Sequence, residues 1–323
     1  MVIYAVVRYY SVLQIRSTQD GLTMLISILR KLSPLALFLI FYNVEANLLT
    51  PFSTTASPGA LKFQPIIDFD TDSCYQTAAL STDGRLNDGI SVPIRPEPQP
   101  TSWLREQDVL AAVPTDAAGA GAAIASNSTD PSSETRASPN LRGCRNGDRL
   151  SHSQTYVRER CNHGWCAYLY GYYFEGDFGW LNSHTHDWEH IIVWTLNDNV
   201  FFVSWSAHSK YTTHHQSTVR FDGTHPKFVY HLGGWGTHSF RKAEEADERI
   251  ENETGGWFKA PLVSLEKLSC DLNRKLLGHG WGSAQMDLRK DRFGKTLDDW
   301  MPWDARNNEK FNPWEPVVPG WAL

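Results

Sequence analysis

The sequence predicts an all-β-leaning fold, a sandwich or barrel rather than a series of βαβ units, and three observations carry that expectation. Short apolar and aromatic runs follow one another from Tyr156 onward: WCAYLYGYYF, HIIVWTL, VFFVSWSA, TVRFD and KFVYHL. Turn residues such as Asn197-Asp198-Asn199 and Asp222-Gly223 separate them, the punctuation expected between neighbouring strands. The chain also holds 13 Trp and 12 Tyr among 323 residues, rings suited to pleated, half-buried surfaces and to carbohydrate or headgroup contact.

The N-terminal stretch stands apart from this pattern. From Met24 the chain reads MLISILRKLSPLALFLIFYNVEA, with a basic Arg30-Lys31 pair, an apolar stretch from Leu32 to Tyr42 and a small-x-small ending at Val44-Glu45-Ala46. Residues 24–46 therefore read as a secretory signal peptide, too short in its apolar part to span a bilayer comfortably. Residues 1–23, which precede it, read as an extension from a start codon placed too early, and the protein is expected outside the cell. Residues 47–60 form a Ser/Thr/Pro-rich leader, and a single domain is expected over 61–323. FQPIIDFDTDSCY, residues 63–75, opens that domain with strand-like alternation.

Residues 93–140 interrupt it. From PIRPEPQP to SSETRASP they are rich in Pro, Ala, Ser and Gly and poor in large apolar side chains, so they bury too little to offset their ordering entropy and read as a disordered insertion. Asn127-Ser128-Thr129 within it and Asn252-Glu253-Thr254 beyond it are glycosylation acceptors in a secreted chain. Helical pattern is expected at Arg241 to Ile250 and Leu262 to Leu277. The net charge of −6 leaves no cationic excess to release counterions from a polyanion, so a nucleic-acid partner is not expected.

Five cysteines, Cys74, Cys144, Cys161, Cys166 and Cys270, read as a disulfide framework with one left over. Cys161 and Cys166 enclose Asn-His-Gly-Trp, short enough to bridge a turn, and Cys74 with Cys144 would tie an N-terminal strand to the segment entering the motif region. A zinc site built from Cys161, Cys166 and His163 is the rival, and it lacks a second properly spaced pair.

The chemistry concentrates in SHTHDWEH, residues 183–190. If 187–194 form a strand, Asp187 and Glu189 share a face with Ile191, while Trp188, His190 and Ile192 share the other. His184 precedes that strand in a turn and is free to swing toward Asp187. Asp177 ends the aromatic run YYFEGD, so loop and strand residues converge at one strand end. Carboxylates in such a concavity suit a hard cation, with imidazole holding a bound water. Other chemistries fit less well. An H-x-H-x-D-H zinc hydrolase needs its Asp four residues after the first His, where Trp188 stands. A glycosidase pair of Glu175 with Asp187 or Glu189 needs a separation that sequence does not give. A nucleophilic triad finds no G-x-S-x-G. His186 and His190 read as fillers of polar core gaps, and Trp165, Trp188 and Trp194 as core.

RCNHGWCAYLYGYYFEGD followed by SHTHDWEHIIVW resembles the necrosis- and ethylene-inducing (Nep1-like, NPP1) proteins, whose hallmark is Gly-His-Arg-His-Asp-Trp-Glu. FQPIIDFDTDSCY and GTHSFR resemble flanking segments of the same family, and the Cys161/Cys166 pair resembles its fungal-type subgroup with a second disulfide. The resemblance implies a β-sandwich with flanking α-helices, similar to actinoporins and fungal lectins. It implies a secreted, monomeric cytolysin rather than an enzyme, one that binds Ca2+ or Mg2+ and recognises glycosyl inositol phosphoceramide headgroups on the surface of plant plasma membranes. Asp177 and Asp187 would be direct ligands, and His184 and Glu189 would reach the metal through water. Two positions depart from the hallmark: Ser183 replaces Gly, and Thr185 replaces Arg. Ser at 183 is neutral if its φ is negative, while Thr at 185 removes a cation worth about 1 kcal/mol near an anionic surface. MDLRKDRFGKTL, 286–297, is a worn version of the C-terminal pattern, and a non-cytolytic glycan- or lipid-binding protein is the alternative expectation.

Overall fold

The structure, a computed structural model, describes residues 48–91, 141–179, 183–234 and 236–315. The expected signal and the whole of the insertion at 93–140, Asn127 included, lie outside them. Two sheets organise the described part. A seven-stranded sheet runs β11-β3-β4-β5-β6-β7, with β2 on β4, and a four-stranded sheet runs β1-β9-β10, with β8 on β9. The strands of the first are β2 (Gln76–Thr77), β3 (Thr155–Asn162), β4 (Trp165–Asp177), β5 (His184–Leu196), β6 (Asn199–Ala207), β7 (Lys210–His215) and β11 (Leu262–Ser264). Those of the second are β1 (Ile66–Phe69), β8 (Phe221–Asp222), β9 (His225–Leu232) and β10 (His238–Lys242).

The aromatic content explains the layering. Along β4, Tyr168, Tyr170, Tyr172 and Phe174 point between the sheets, where they meet Phe69, Ile191, Val193, Phe228, Tyr230 and Phe240. The alternate residues Trp165, Leu169 and Tyr173 point the other way and meet Trp188, Ile192, Trp194, Leu288, Phe293 and Phe311. β4 is thus apolar on both faces, as a central strand covered by a second sheet on one side and helices on the other must be. The described helices are α1 (Pro58–Lys62), α2 (Leu141–Cys144), α3 (Asp148–Ser151), α4 (Cys270–Gly278), α5 (Lys290–Trp300) and α6 (Trp303–Asn307). Helix residues Leu276, Phe293, Leu297 and Ala305 belong to the outer core. Gly171 allows the closest approach on that side, because a Cβ there would stand 2.5 Å from Leu288 Cδ1.

The β-sandwich with flanking helices is as expected, and so are both disulfides, Cys74–Cys144 and Cys161–Cys166, with Cys270 exposed and free. Trp165, Trp188 and Trp194 are core residues, each almost fully buried. Several details differ. The helix expected at Arg241 to Ile250 is instead the end of β10, paired with Val229 and Phe228, followed by a single 3-10 turn at Ala246–Glu248. The helix expected at Leu262 to Leu277 begins only at Cys270, where the Ser269 hydroxyl caps it by accepting from Leu272 N. Before that, Leu262–Ser264 form a parallel ladder with Thr155–Val157. Most of TVRFD is irregular, with two residues in β8. Amphipathic spacing alone did not separate these segments, because each strand is short and its partner is distant in sequence.

Candidate metal centre

β4 and β5 form an antiparallel pair that sets the site. The register matches Phe174 with Asp187 and Asp177 with His184, so His184 and Asp177 are cross-strand neighbours inside strands, not in the turn and loop expected for them. Between those pairs His186 takes a φ of 62°, an uncommon conformation for a side-chain-bearing residue. This left-handed kink interrupts regular alternation at the motif, so residues on both sides of it reach the same space. The last β5–β6 pair is Ile191 with Trp205. Beyond it the strands part, and a cavity of about 270 Å³ opens.

Asp177, His184, Asp187 and Glu189 all line that cavity, together with Trp188, His190, Ser206, His208, Tyr211, His238 and Asp287. Ser183, Thr185 and His186 do not. Ser183 has no positive φ, so replacing glycine costs no backbone strain, and its hydroxyl donates to Gly179 O at 2.5 Å. Thr185 lies against Gly89, whose added Cβ would meet the threonine Cγ2 at 2.7 Å. His186 accepts or donates through Nδ1 with the Tyr173 hydroxyl at 2.6 Å, and burial beside His279 pushes it down to about 4. His190 is buried, accepts from Asp287 N through Nε2 at 3.1 Å and is likewise pushed down to about 4, first by burial. Both are neutral packing groups at neutral pH, as expected.

The three acids are held from behind. Asp177 Oδ2 accepts from His238 N at 2.9 Å, while Oδ1 meets His238 Nδ1 at 2.6 Å and accepts from Gly179 N at 3.0 Å. His238 Nε2 faces Asp72 O at 3.1 Å. Burial opposes charge on His238, but the hydrogen bond and charge of Asp177, together with the charges of Asp72 and Asp187, raise its pKa on balance, so the ring is held as a clamp on Asp177. Asp187 Oδ2 accepts from the Tyr230 hydroxyl at 2.6 Å. Glu189 accepts from the Ser206 hydroxyl, which also receives His190 N at 2.7 Å. His184 Nε2 stands 3.7 Å from Asp177 Oδ2, and its Nδ1 meets His186 O at 2.7 Å.

The electrostatics mark this group. Burial, then the Asp177 charge, pushes Asp187 up to about 6. Burial, then the Asp187 charge, pushes Glu189 well above the carboxylate range. Buried like charges facing one cavity are costly alone and are relieved by a cation. The donor set of carboxylates, hydroxyls and imidazole is that of a hard ion. As they stand, however, no three His, Cys, Asp or Glu side chains among the described residues are gathered closely enough to hold one metal ion, so the acids line a common cavity without forming a ligand cage. Sequence reasoning identified the motif acids but not Tyr230, Ser206 or Asp287. His238 lay within the GTHSFR segment, which was recognised only as a flanking match.

Asn252 differs from expectation. It is 5% exposed, and its Nδ2, the atom a glycan would occupy, donates to Asp68 Oδ1 at 2.7 Å and to Gly256 O at 2.9 Å. The folded turn therefore withholds this acceptor, a consequence of burial that the Asn-Glu-Thr pattern does not encode.

Comparison with known proteins bears on the whole arrangement. The Necrosis inducing protein (NPP1) family matches residues 58–99 and 120–300. An NLP effector protein of Phytophthora capsici is 31% identical over 158 residues, 47% of this chain and 43% of that protein. NLP effector protein 10 of the same organism is 36% identical over 156 residues, 45% of this chain and 61% of that protein. The match thus spans about half the length of these relatives. Among solved structures, Necrosis and Ethylene inducing Protein 2 from the causal agent of cocoa's Witches Broom disease has a TM-score of 0.54 at 20% identity, covering 80% of this chain and 98% of that one. The non-toxic HaNLP3 protein has a TM-score of 0.55 at 20% identity, covering 79% and 98%. NLPPya in complex with glucosamine has 0.53 at 19%, covering 78% and 96%. Those likenesses establish the toxin fold, and the family match, which extends over more than half of the chain, leads to one conclusion: the protein belongs to the necrosis-inducing NPP1 family.

Proposed function

We propose that this protein is a secreted, non-enzymatic cytolysin-like effector that binds a divalent cation in the cavity between β5 and β6 and, through it, sphingolipid headgroups of plant plasma membranes. The observation that carries the reading is the facing of Asp177, Asp187 and Glu189 onto one cavity, with burial and mutual repulsion raising the pKa of Asp187 and Glu189. Asp177 and Asp187 would hold Ca2+ or Mg2+ directly, and His184 and Glu189 would act through water. A bound cation supplies a positive centre that an anionic or hydroxyl-rich headgroup can approach. The chain's own residues prepare that centre: His238 orients Asp177, Tyr230 orients Asp187, and Ser206 orients Glu189. A sugar-bearing ligand is supported by one protein of the same fold, NLPPya, solved in complex with glucosamine and with mannosamine.

The test is infiltration of plant leaves with the secreted protein and with Asp187→Ala, beside leakage of vesicles carrying glycosyl inositol phosphoceramides. Lesions and leakage from the wild type alone support the reading; neither effect from a folded wild type removes the cytolytic part. The second reading, headgroup binding without lysis, is favoured by Thr185, which leaves the motif without the hallmark cation, and by a non-toxic protein among the fold relatives. Vesicle binding without leakage would select it.

A further inference from the structure

The turn joining β6 to β7 carries a histidine to the rim of the cavity. His208 and Ser209 have φ of 53° and 63°, the paired left-handed conformation of a tight hairpin turn that Asn-Gly adopts at least cost. Two further described turns pair left-handed residues: His163-Gly164 between β3 and β4, with φ of 51° and 80°, and Asn197-Asp198 between β5 and β6, with φ of 47° and 62°. Since His163 also takes the first position of such a turn, what sets His208 apart is where its ring lies.

His208 is exposed, yet its ring is engaged at the cavity rim. Nδ1 meets the Thr237 hydroxyl at 2.8 Å, and the ring rests against Gly233, where an added Cβ would stand 3.2 Å from Nε2. Thr237 O in turn accepts from Gly233 N at 2.9 Å. The next residue is His238, whose N and Nδ1 hold the two carboxylate oxygens of Asp177. From the opposite side Gly179 packs so closely on Gly236 that a side chain would overlap the Gly236 carbonyl. An imidazole on one hairpin therefore latches the start of β10, and with it the group that orients Asp177.

We propose that His208 is a positioning residue for the cation and headgroup site, acting through Thr237 and His238 on Asp177. The inference rests on the reading above for its consequence in binding, but not for the latch itself. Two variants satisfy the turn equally: His208→Gly removes the side chain, while His208→Asn places an amide where Nδ1 stands. Thr237→Val removes the partner. Amide hydrogen exchange of Gly233 and His238 is read first, without any ligand, then calcium affinity by titration of the full secreted domain.

His208→Gly and Thr237→Val are expected to speed exchange at these amides by roughly five-fold, the factor one net hydrogen bond is worth, and to weaken calcium binding by a similar factor. His208→Asn restores both, and all three keep a melting temperature close to that of the wild type. Unchanged exchange in His208→Gly overturns the latch, as does an equal rise across the whole domain or a failure of His208→Asn to differ from His208→Gly. If the wild type binds no calcium, the cation reading fails separately, and exchange still decides the latch.

Discussion

Replacing Asp187 by Asn is expected to stabilise the cation-free protein, although the residue stands at the centre of the site. Asp187 is buried beside Asp177, and its folded pKa is about 6 against an ordinary 3.8. A carboxyl with a raised folded pKa holds its proton more tightly folded than unfolded. Its ionised form therefore destabilises the fold fully above about pH 6, and the penalty vanishes below the unfolded value. The distance from 3.8 to about 6 corresponds to about 3 kcal/mol. Asn keeps an oxygen to accept from Tyr230 and carries no charge. In EDTA, urea unfolding at about pH 8 should therefore show Asp187→Asn more stable by up to about 3 kcal/mol, or some 6 to 12 °C in melting temperature. At about pH 3 the two proteins should coincide, because the wild-type carboxyl is then protonated in both the folded and the unfolded states. With saturating Ca2+ the order should reverse, since only the wild type gains binding free energy. An Asp187→Asn protein that is equally or less stable than wild type at both pH values in EDTA would refute the repulsion argument.

Three further outcomes are expected. Removing Cys74–Cys144, which closes a 70-residue separation, should cost about 4 kcal/mol in chain entropy, against about 2 for Cys161–Cys166 with its separation of 5, as paired Cys→Ala unfolding curves would report. Arg149→Ala strands Glu175, since Arg149 Nε stands 2.9 Å from its Oε2 with both side chains under 10% exposed; a loss of about 3 to 5 kcal/mol in denaturant titration is expected. Gly171→Ala should cost about 1 to 3 kcal/mol by overpacking against Leu288, and Leu288→Ala in the same chain should recover part of it.

The aromatic runs made the central strands legible, because covering both faces of β4 and β5 demands nearly continuous large side chains and no competing period. WCAYLYGYYF and HIIVWTL became the middle of the seven-stranded sheet. The motif acids were legible for the same reason: Asp187 and Glu189 interrupt an otherwise apolar strand face, where charge needs a purpose. Tyr230 and Ser206 gave no local sign, since each reaches its acid only after a distant strand docks. α5 escaped notice because the polar run MDLRKDRFGKTL buries only one face, through Phe293 and Leu297. Strand β11 was hidden inside an apparent helical pattern, because only its pairing with β3, more than a hundred residues earlier in the chain, makes it extended. The kink at His186, which brings both sides of the motif onto one cavity, has no sequence signal of the Gly or Asn kind.

Calorimetric titration of Ca2+ and of Mg2+ into the folded domain, wild type beside Asp177→Asn/Asp187→Asn, tests the cation most directly. One saturable site is expected, with affinity between about 10⁻⁶ and 10⁻³ M for a water-rich oxygen site, and no site in the double variant with its sheet spectrum intact. Absence of binding by either ion to the folded wild type, or equal binding by the double variant, would contradict it.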